Sequence, residues 1–272
     1  MIALLMTNLA IMLGLFLLLW GLSVALKNAS IVDIAWGGAC ALPACLTWLR
    51  VDGAEPRAAL LAALAALWGM RLAIYLGIRN IGHGEDYRYV AMRKKAGSDS
   101  KFALTSLFSV FILQCLIAFF VSLPTQVGQF GSSAIFGTGS GELGVVAYLG
   151  VAVFAFGLAF ETIGDLQLRA FKSKPENKGK LMDKGLWAWT GHPNYFGDAV
   201  VWTGLTLIAL ESQHGYLTVL SPALMFYFLY AVSGKALLER SMSKRYPEYE
   251  SYKKRVSGFF PWPPAKPEPG AT

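Results

Sequence analysis

The sequence predicts an all-α integral membrane protein: a bundle of seven transmembrane helices with its N-terminus outside and its C-terminus cytoplasmic. Three observations carry this prediction. Hydrophobic residues fill 55% of the 272 positions and charged residues only 15%, against about 25% charged in an average soluble domain. The apolar residues gather into stretches long enough to span a bilayer. Lys and Arg fall almost entirely on one side of those stretches. A water-soluble globule needs more polar surface than this, so the composition also excludes a disordered chain and a nucleic-acid binder built on charge. Three cysteines without C-x-x-C spacing and three histidines point away from a disulfide scaffold and from a His-rich metal centre.

A spanning helix needs about 20 mostly apolar residues. Seven stretches qualify: Ile2 to Leu26, Ile31 to Leu49, Pro56 to Ile78, Phe102 to Leu123, Leu143 to Ile163, Tyr195 to Leu210 and Tyr216 to Gly234. The first lacks a basic leader and a small-residue cleavage site, so it reads as an anchor and not as a cleaved signal. The second carries Asp33 near its start. The sixth is short, with Asp198 in its first turn. With these spans, 21 of the 24 Lys and Arg lie on one side, in the connections Arg79 to Lys101 and Gly164 to His192, in the tail from Lys235, and at Lys27. The connection Pro124 to Glu142 has none. Basic loops stay in the cytoplasm, which sets the orientation. The net charge of +7 therefore reports topology first. Residues 1–262 form a single membrane domain, and 263–272 a Pro-rich tail.

Charged and strongly polar groups at membrane depth each need a partner or a task. Asp33, Arg71, Gln114, Glu161, Asp165, Asp198, Lys235 and Glu239 are such groups. All but Gln114 lie in the cytoplasmic half of their spans or close to that boundary, which implies a polar pocket opening on that side. The competing reading, interfacial caps and snorkelling side chains, explains any one of them but not the whole set. Glu161, Asp165, Arg169 and Lys172 follow at spacings of four, four and three, which places them on one helix face. The carboxylates suit sugar hydroxyls or an exocyclic amine, and the cations suit phosphates. An ion-pair ladder of Asp165 with Arg169 fits the same spacing equally well.

In Gly185 to Asp198, Thr190, Gly191 and His192 precede Pro193, which predicts an extended approach and a helix starting at Pro193. Asn194 and Asp198 then point the same way, one turn apart. Just past the third span, G-E-D-Y-R-Y (Gly84 to Tyr89) offers Tyr87 as a proton donor, with Glu85, Asp86 and Arg88 to tune it. An interfacial aromatic belt accounts for the same run. No G-x-G-x-x-G after a strand and no P-loop occurs.

H-P-N-Y-F-G-D (His192 to Asp198) resembles the signature of integral-membrane sterol reductases. With D-I-A-W-G-G (Asp33 to Gly38), G-E-D-Y-R-Y, F-E-T-I-G-D (Phe160 to Asp165), S-G-K-A-L-L-E (Ser233 to Glu239) and Y-x-x-Y through F-F-P-W (Tyr249 to Trp262), the chain resembles the steroid 5α-reductase family, in particular its bacterial members. The superfamily that shares the His192 to Asp198 motif also contains membrane methyltransferases that use S-adenosylmethionine.

The resemblance implies a 3-oxo-5α-steroid 4-dehydrogenase type of oxidoreductase. It would bind NADPH from the cytoplasmic side, take a lipid-like 3-keto-4-ene from the bilayer, and deliver hydride to the β-carbon to give a 5α-reduced product. Diphosphate and adenosine contacts fall on Asp165, Arg169, Lys172 and Lys180, and nicotinamide contacts on Asn194 and Asp198. The wider cofactor set takes in Arg71, Arg88, Glu161, His192, Tyr195, Lys235, Glu239 and Arg240. Tyr87, with Tyr75 as rival, and Asp33 are the catalytic candidates. No metal and no nucleic acid enter this reading, and membrane lipids surround an expected monomer in a bacterial inner membrane. The alternatives are a membrane S-adenosylmethionine-dependent methyltransferase and, further off, a non-enzymatic transporter or lipid-binding bundle. The latter lacks the paired Gly/Pro-broken spans of many transporters.

Overall fold

The structure, a computed structural model, describes residues 1–51, 55–133, 135–139, 142–232, 239 and 242–265. Among the described residues there are helices and turns but no strand, and one isolated bridge pairs Thr190 with Ser257. Six helical stretches are long and apolar enough to cross a membrane: Ile2–Leu26, Ile31–Trp48, Pro56–Asn80, Asp99–Val121, Val145–Lys172 and Gly215–Val232. This is the make-up of a multi-pass membrane protein. The sixth expected span does form a helix, Pro193–Leu210, but Asn194, Gly197, Asp198 and Gly204 dilute its apolar content and it is not among the six.

The chain divides into two compact units. The first holds Met1–Tyr148 and Leu205–Ser221. It contains α1 (Ile2–Leu26), α2 (Ile31–Trp48), α3 (Pro56–Asn80), α4 (Tyr87–Ala96), α5 (Asp99–Ser106), α6 (Leu113–Val121) and α7 (Leu123–Val127). Between α5 and α6 the helix loosens into a π-helical stretch, Leu107–Ile112, which rotates the following turns relative to a regular α-helix. Turns and caps follow local chemistry. Lys27 ends α1 in the left-handed region. Asp86 caps α4 by accepting from Arg88 N–H, Gly97 ends α4 at φ 77°, and Ser98 caps α5. Helices α2 and α3 touch backbone to backbone: a Cβ at Gly37 would run into the Gly69 carbonyl, and the reverse holds. Small residues permit such approach where lipid offers no hydrophobic drive for helix pairing.

The two cations on the otherwise Lys/Arg-poor side are both tied into this unit. Arg50 Nη1 donates to Asn8 Oδ1 at 3.2 Å, and Asn8 in turn donates to Thr47 and Gln126. Arg57 is buried, donating to the carbonyls of Gly128, Glu211 and Gly131 and to the Glu55 carboxylate. They support the fold and do not mark a basic loop.

The second unit holds Leu149–Gly204 and the chain from Pro222 onward. Its main elements are α8 (Val145–Lys172) and α9 (Pro193–Leu210), each shared with the first unit at one end, then α10 (Leu220–Tyr227), a π-helical Phe228–Val232 and α11 (Tyr249–Arg255). A glycine seam joins α8 to α9. Gly150, Gly157 and Gly164 recur every seven residues on α8, as do Gly197 and Gly204 on α9, the period that keeps two helices in register around each other. A Cβ at Gly157 would meet Val201 N at 2.7 Å, at Gly197 Glu161 N at 2.5 Å, and at Gly204 Phe154 N at 2.5 Å. Beyond α8, the connection folds back. Trp187 Nε1 donates to the Gly164 carbonyl at 2.9 Å, Leu186 N–H to Gln167 Oε1 at 2.9 Å, and Tyr252 hydroxyl to the Trp187 carbonyl at 2.6 Å.

Candidate functional site

Each unit assembles one cluster of the polar residues that the sequence singles out. In the first unit it forms around Asp33, in the first turn of α2. Arg88 Nη2 donates to Asp33 Oδ2 at 2.6 Å and Tyr89 hydroxyl to Asp33 Oδ1 at 2.8 Å. Arg88 Nε also reaches Asp86 Oδ1 at 2.9 Å. Gln114 Nε2 lies 3.4 Å from the Tyr89 oxygen, on the helix that resumes after the π-helical stretch. Such interruptions concentrate at functional positions.

A second set of bonds fixes α4 over the start of α2. Asp86 N–H donates to Ser30 Oγ at 2.7 Å, and Glu85 accepts from Ala29 N–H at 2.8 Å and from Arg93 at 2.9 Å. Burial and the neighbouring Asp33 charge push the Tyr89 phenol well above its ordinary range. Burial pushes the Asp86 carboxyl up as well, but its hydrogen bonds to Arg88 prevail and hold it below the usual range. The phenol therefore stays protonated through neutral and mildly alkaline pH.

The sequence reading pairs Asp33 with Tyr87; in the structure the tyrosine bonded to Asp33 is Tyr89. Tyr87 is the first residue of α4 and 55% exposed, whereas Tyr89 is 4% exposed and touches the carboxylate. At about 100° per residue the two rings face opposite sides of the helix. The signal was present in Asp86, whose side chain caps the helix and so sets which of the two tyrosines turns inward. Arg71 lies on α3 with its guanidinium over the Tyr75 ring at 5.6 Å, and Arg79 at 5.9 Å. Tyr75, the rival donor, is thus engaged by cations. Arg71 and Arg88 lie in the first unit.

That cluster, in the second unit, lies where the first turn of α9 meets α8. Because Gly197 and Gly164 carry no side chain, the Glu161 backbone and Pro193 pack directly against the partner helix. Glu161, Asp165, His192 and Asp198 are all buried. His192 stacks on Tyr195 with ring centroids 5.4 Å apart, and its Nε2 lies 3.9 Å from Glu239 Oε1. Pro193 starts the helix as its sequence context predicts, with Asn194 and Asp198 one turn apart. Further along the α8 face, Arg169 and Lys172 are exposed, and Lys180 is exposed in the following turn. Buried carboxylates thus give way to exposed cations within two turns. The carboxylates suit hydroxyl, amide or cationic groups, and the exposed cations suit phosphate. Lys235 and Arg240 lie outside the described residues.

An uncharacterized protein of Schizosaccharomyces pombe is 28% identical over 89% of this chain and 75% of its own length. A protein of Ustilaginoidea virens described as "Probable O-methyltransferase ustE" is 30% identical over 42% of this chain, a match spanning 39% of that protein. No solved structure matches. The family described as "Protein of unknown function (DUF1295)" matches residues 19–256, well over half of the chain, and the protein is a member of this DUF1295 family.

Proposed function

We propose that the protein is an NADPH-dependent membrane reductase of conjugated lipid enones, with a 3-keto-4-ene steroid as the model substrate. The observation that carries this reading is the buried Tyr89 hydroxyl held on Asp33 by a carboxylate that Arg88 neutralises from its other oxygen. A protonated phenol in a water-poor setting is a donor for a carbonyl oxygen. Turning its O–H from Asp33 toward the substrate oxygen would stabilise the enolate-like state. Arg88 meanwhile keeps Asp33 compensated, and Gln114 supports the phenol oxygen.

NADPH, when bound, supplies the hydride. Asn194 and Asp198 would hold its carboxamide, Glu161 and Asp165 its hydroxyl groups, and Arg169, Lys172 and Lys180 its phosphates. His192, Tyr195 and Glu239 would brace the turn that carries Asn194.

A second reading rests on the match to the described O-methyltransferase. Buried carboxylates also suit the sulfonium and ammonium of S-adenosylmethionine. The exposed Arg169, Lys172 and Lys180 favour the reductase, because S-adenosylmethionine offers them no phosphate. The deciding experiment is a thermal-shift screen of detergent-purified protein against NADPH, NADH and S-adenosylmethionine. Stabilisation by NADPH alone is expected, and stabilisation by S-adenosylmethionine alone would replace the reductase with the methyltransferase.

Asp198→Asn keeps the size of the side chain, removes its charge and should misplace the bound ring. Displacement of about 1 Å lowers turnover by about 10²-fold, so kcat for enone reduction should fall with a smaller change in NADPH affinity, both read from steady-state kinetics and equilibrium binding.

For orientation we propose that Pro193–Leu210 completes seven crossings, with the N-terminus outside and the Lys/Arg-rich side in the cytoplasm of a bacterial cell. A cysteine at Ile135, which is exposed, should react with an impermeant maleimide in intact cells, and one at Ser173 should not. The reverse pattern would invert the topology.

A further inference from the structure

The chain after α11 forms a closed loop with one bare, apolar edge. Its ends meet where Ala265 N–H donates to the Arg255 carbonyl at 2.9 Å. Between them, residues 256–265 read V-S-G-F-F-P-W-P-P-A, without a charge.

One edge of this loop is pinned to the turn before α9. Gly191 N–H donates to the Ser257 carbonyl at 2.8 Å, Thr190 hydroxyl to the Phe259 carbonyl at 2.7 Å, and Trp262 N–H to the Trp189 carbonyl at 3.0 Å. Phe259 is buried, its ring 5.0 Å from that of Phe226 and 5.7 Å from that of Tyr230. Beside this seam three large rings are uncovered: Phe260 is 62% exposed, Trp262 72% and, on the turn itself, Trp189 47%. A surface that faced water would not display three large aromatic groups together.

What covers these rings follows from their neighbours. Phe226 and Tyr230 lie on the membrane-crossing stretch Gly215–Val232, on which Tyr227 and Tyr230 are themselves exposed. The Phe260 ring packs 6.0 Å from Phe226 and 6.2 Å from Phe196. The bare edge is therefore continuous with the lipid-facing surface of a span, at a level marked by tyrosines. Lys253 and Lys254, both exposed, stand at the base of the loop where phospholipid headgroups would meet them. Aromatic rings over a cationic base are the arrangement that settles at the headgroup boundary.

We propose that loop 256–265 inserts into the headgroup–acyl boundary of the leaflet on the Lys/Arg-rich side, with phospholipid as its partner. Trp262 and Phe260 enter the leaflet, and Lys253 and Lys254 stay among the headgroups. Through the three bonds to Trp189, Thr190 and Gly191, the leaflet then steadies the turn that leads into Asn194.

The test places a fluorescent coumarin amino acid at position 262 of the full-length protein, reconstituted in vesicles of phosphatidylcholine and phosphatidylglycerol. Quenching by lipid labelled with doxyl at carbon 5 should exceed that by carbon 16 by at least about twofold, as for groups at interfacial depth. Iodide in the water should quench the probe less than the same probe at Ser173. A probe at Pro264, also exposed, repeats the measurement should the first variant not fold. Iodide quenching equal to that at Ser173, with none from either lipid, would overturn the proposal.

Discussion

Tyr89→Phe should lower NADPH-dependent reduction of progesterone or testosterone by at least about a hundredfold and leave NADPH affinity unchanged. Loss of one placed proton donor has about that effect, 10²–10⁴ in rate. Because Tyr89 donates to Asp33 and receives from Gln114, the phenyl ring can remain while only the donor goes. Tyr87→Phe is the internal control: that ring is largely exposed, and its variant should keep turnover within about twofold, as surface substitutions usually do. Initial rates and NADPH binding on the same preparations separate the outcomes. Parental turnover in Tyr89→Phe removes the phenol from the chemistry. Intact NADPH binding with no turnover in the parent removes the steroid and leaves the cofactor assignment standing.

The second large effect is on folding. Gly197→Val should destabilise the protein severely, whereas Gly14→Val should not. A Cβ at Gly197 would lie 2.5 Å from the Glu161 nitrogen and 2.7 Å from the Gly157 carbonyl, both backbone atoms that no rotamer change can move away. At Gly14 nothing lies within 4 Å. Overpacking a filled interior costs about 1–3 kcal/mol and more where the backbone must shift, which corresponds to a fall of about 2–12 °C or more in a protein of this size. Thermal melts followed by size-exclusion chromatography would read this. Equal melting of the two variants would mean that α8 and α9 do not touch along this seam. The same seam sets the distance between Glu161 and the first turn of α9, and Gly197→Ala, whose Cβ already meets these backbone atoms, should also melt below the parent.

Much of this architecture was legible in the sequence, for a simple reason. In a bilayer every backbone polar group must be satisfied within a helix, so a long apolar run translates directly into a helix, and Ile2–Leu26 emerges with the expected limits. The expected start at Pro193 also matches, because Pro fixes the backbone for a first helical turn. Charge at membrane depth drew attention to Asp33, Glu161, Asp165 and Asp198, all of which sit in the two clusters.

What escaped was local phase. Tyr87 and Tyr89 are two residues apart in a short helix whose apolar pattern is too weak to orient it, so only the cap at Asp86 distinguishes them. Gln114 was visible as a polar residue in a span. Its approach to Tyr89 depends on the π-helical stretch Leu107–Ile112, and the sequence L-F-S-V-F-I carries no Pro or Gly to announce that departure. The fifth span ends nine residues later than its hydropathy suggests, at Lys172 instead of Ile163, because a helix can continue past the bilayer once its side chains turn polar.

Glu211 bears on how the protein is made. Its buried carboxylate accepts from the N–H of Gly144 at 2.9 Å and of Ala147 at 2.7 Å, satisfying the amino end of α8. The residue that completes α8 is therefore translated 64 positions after Ala147. At about 5–20 residues per second on a ribosome, that is an interval of roughly 3–13 s. During it, the exposed amide groups at that end of α8 must find water, lipid headgroups or the insertion machinery. The helix can enter the bilayer early, but it acquires its final partner only when the end of α9 has been synthesised. Mutations at Glu211 should accordingly reduce yield during biosynthesis more than they reduce the stability of protein that has already matured.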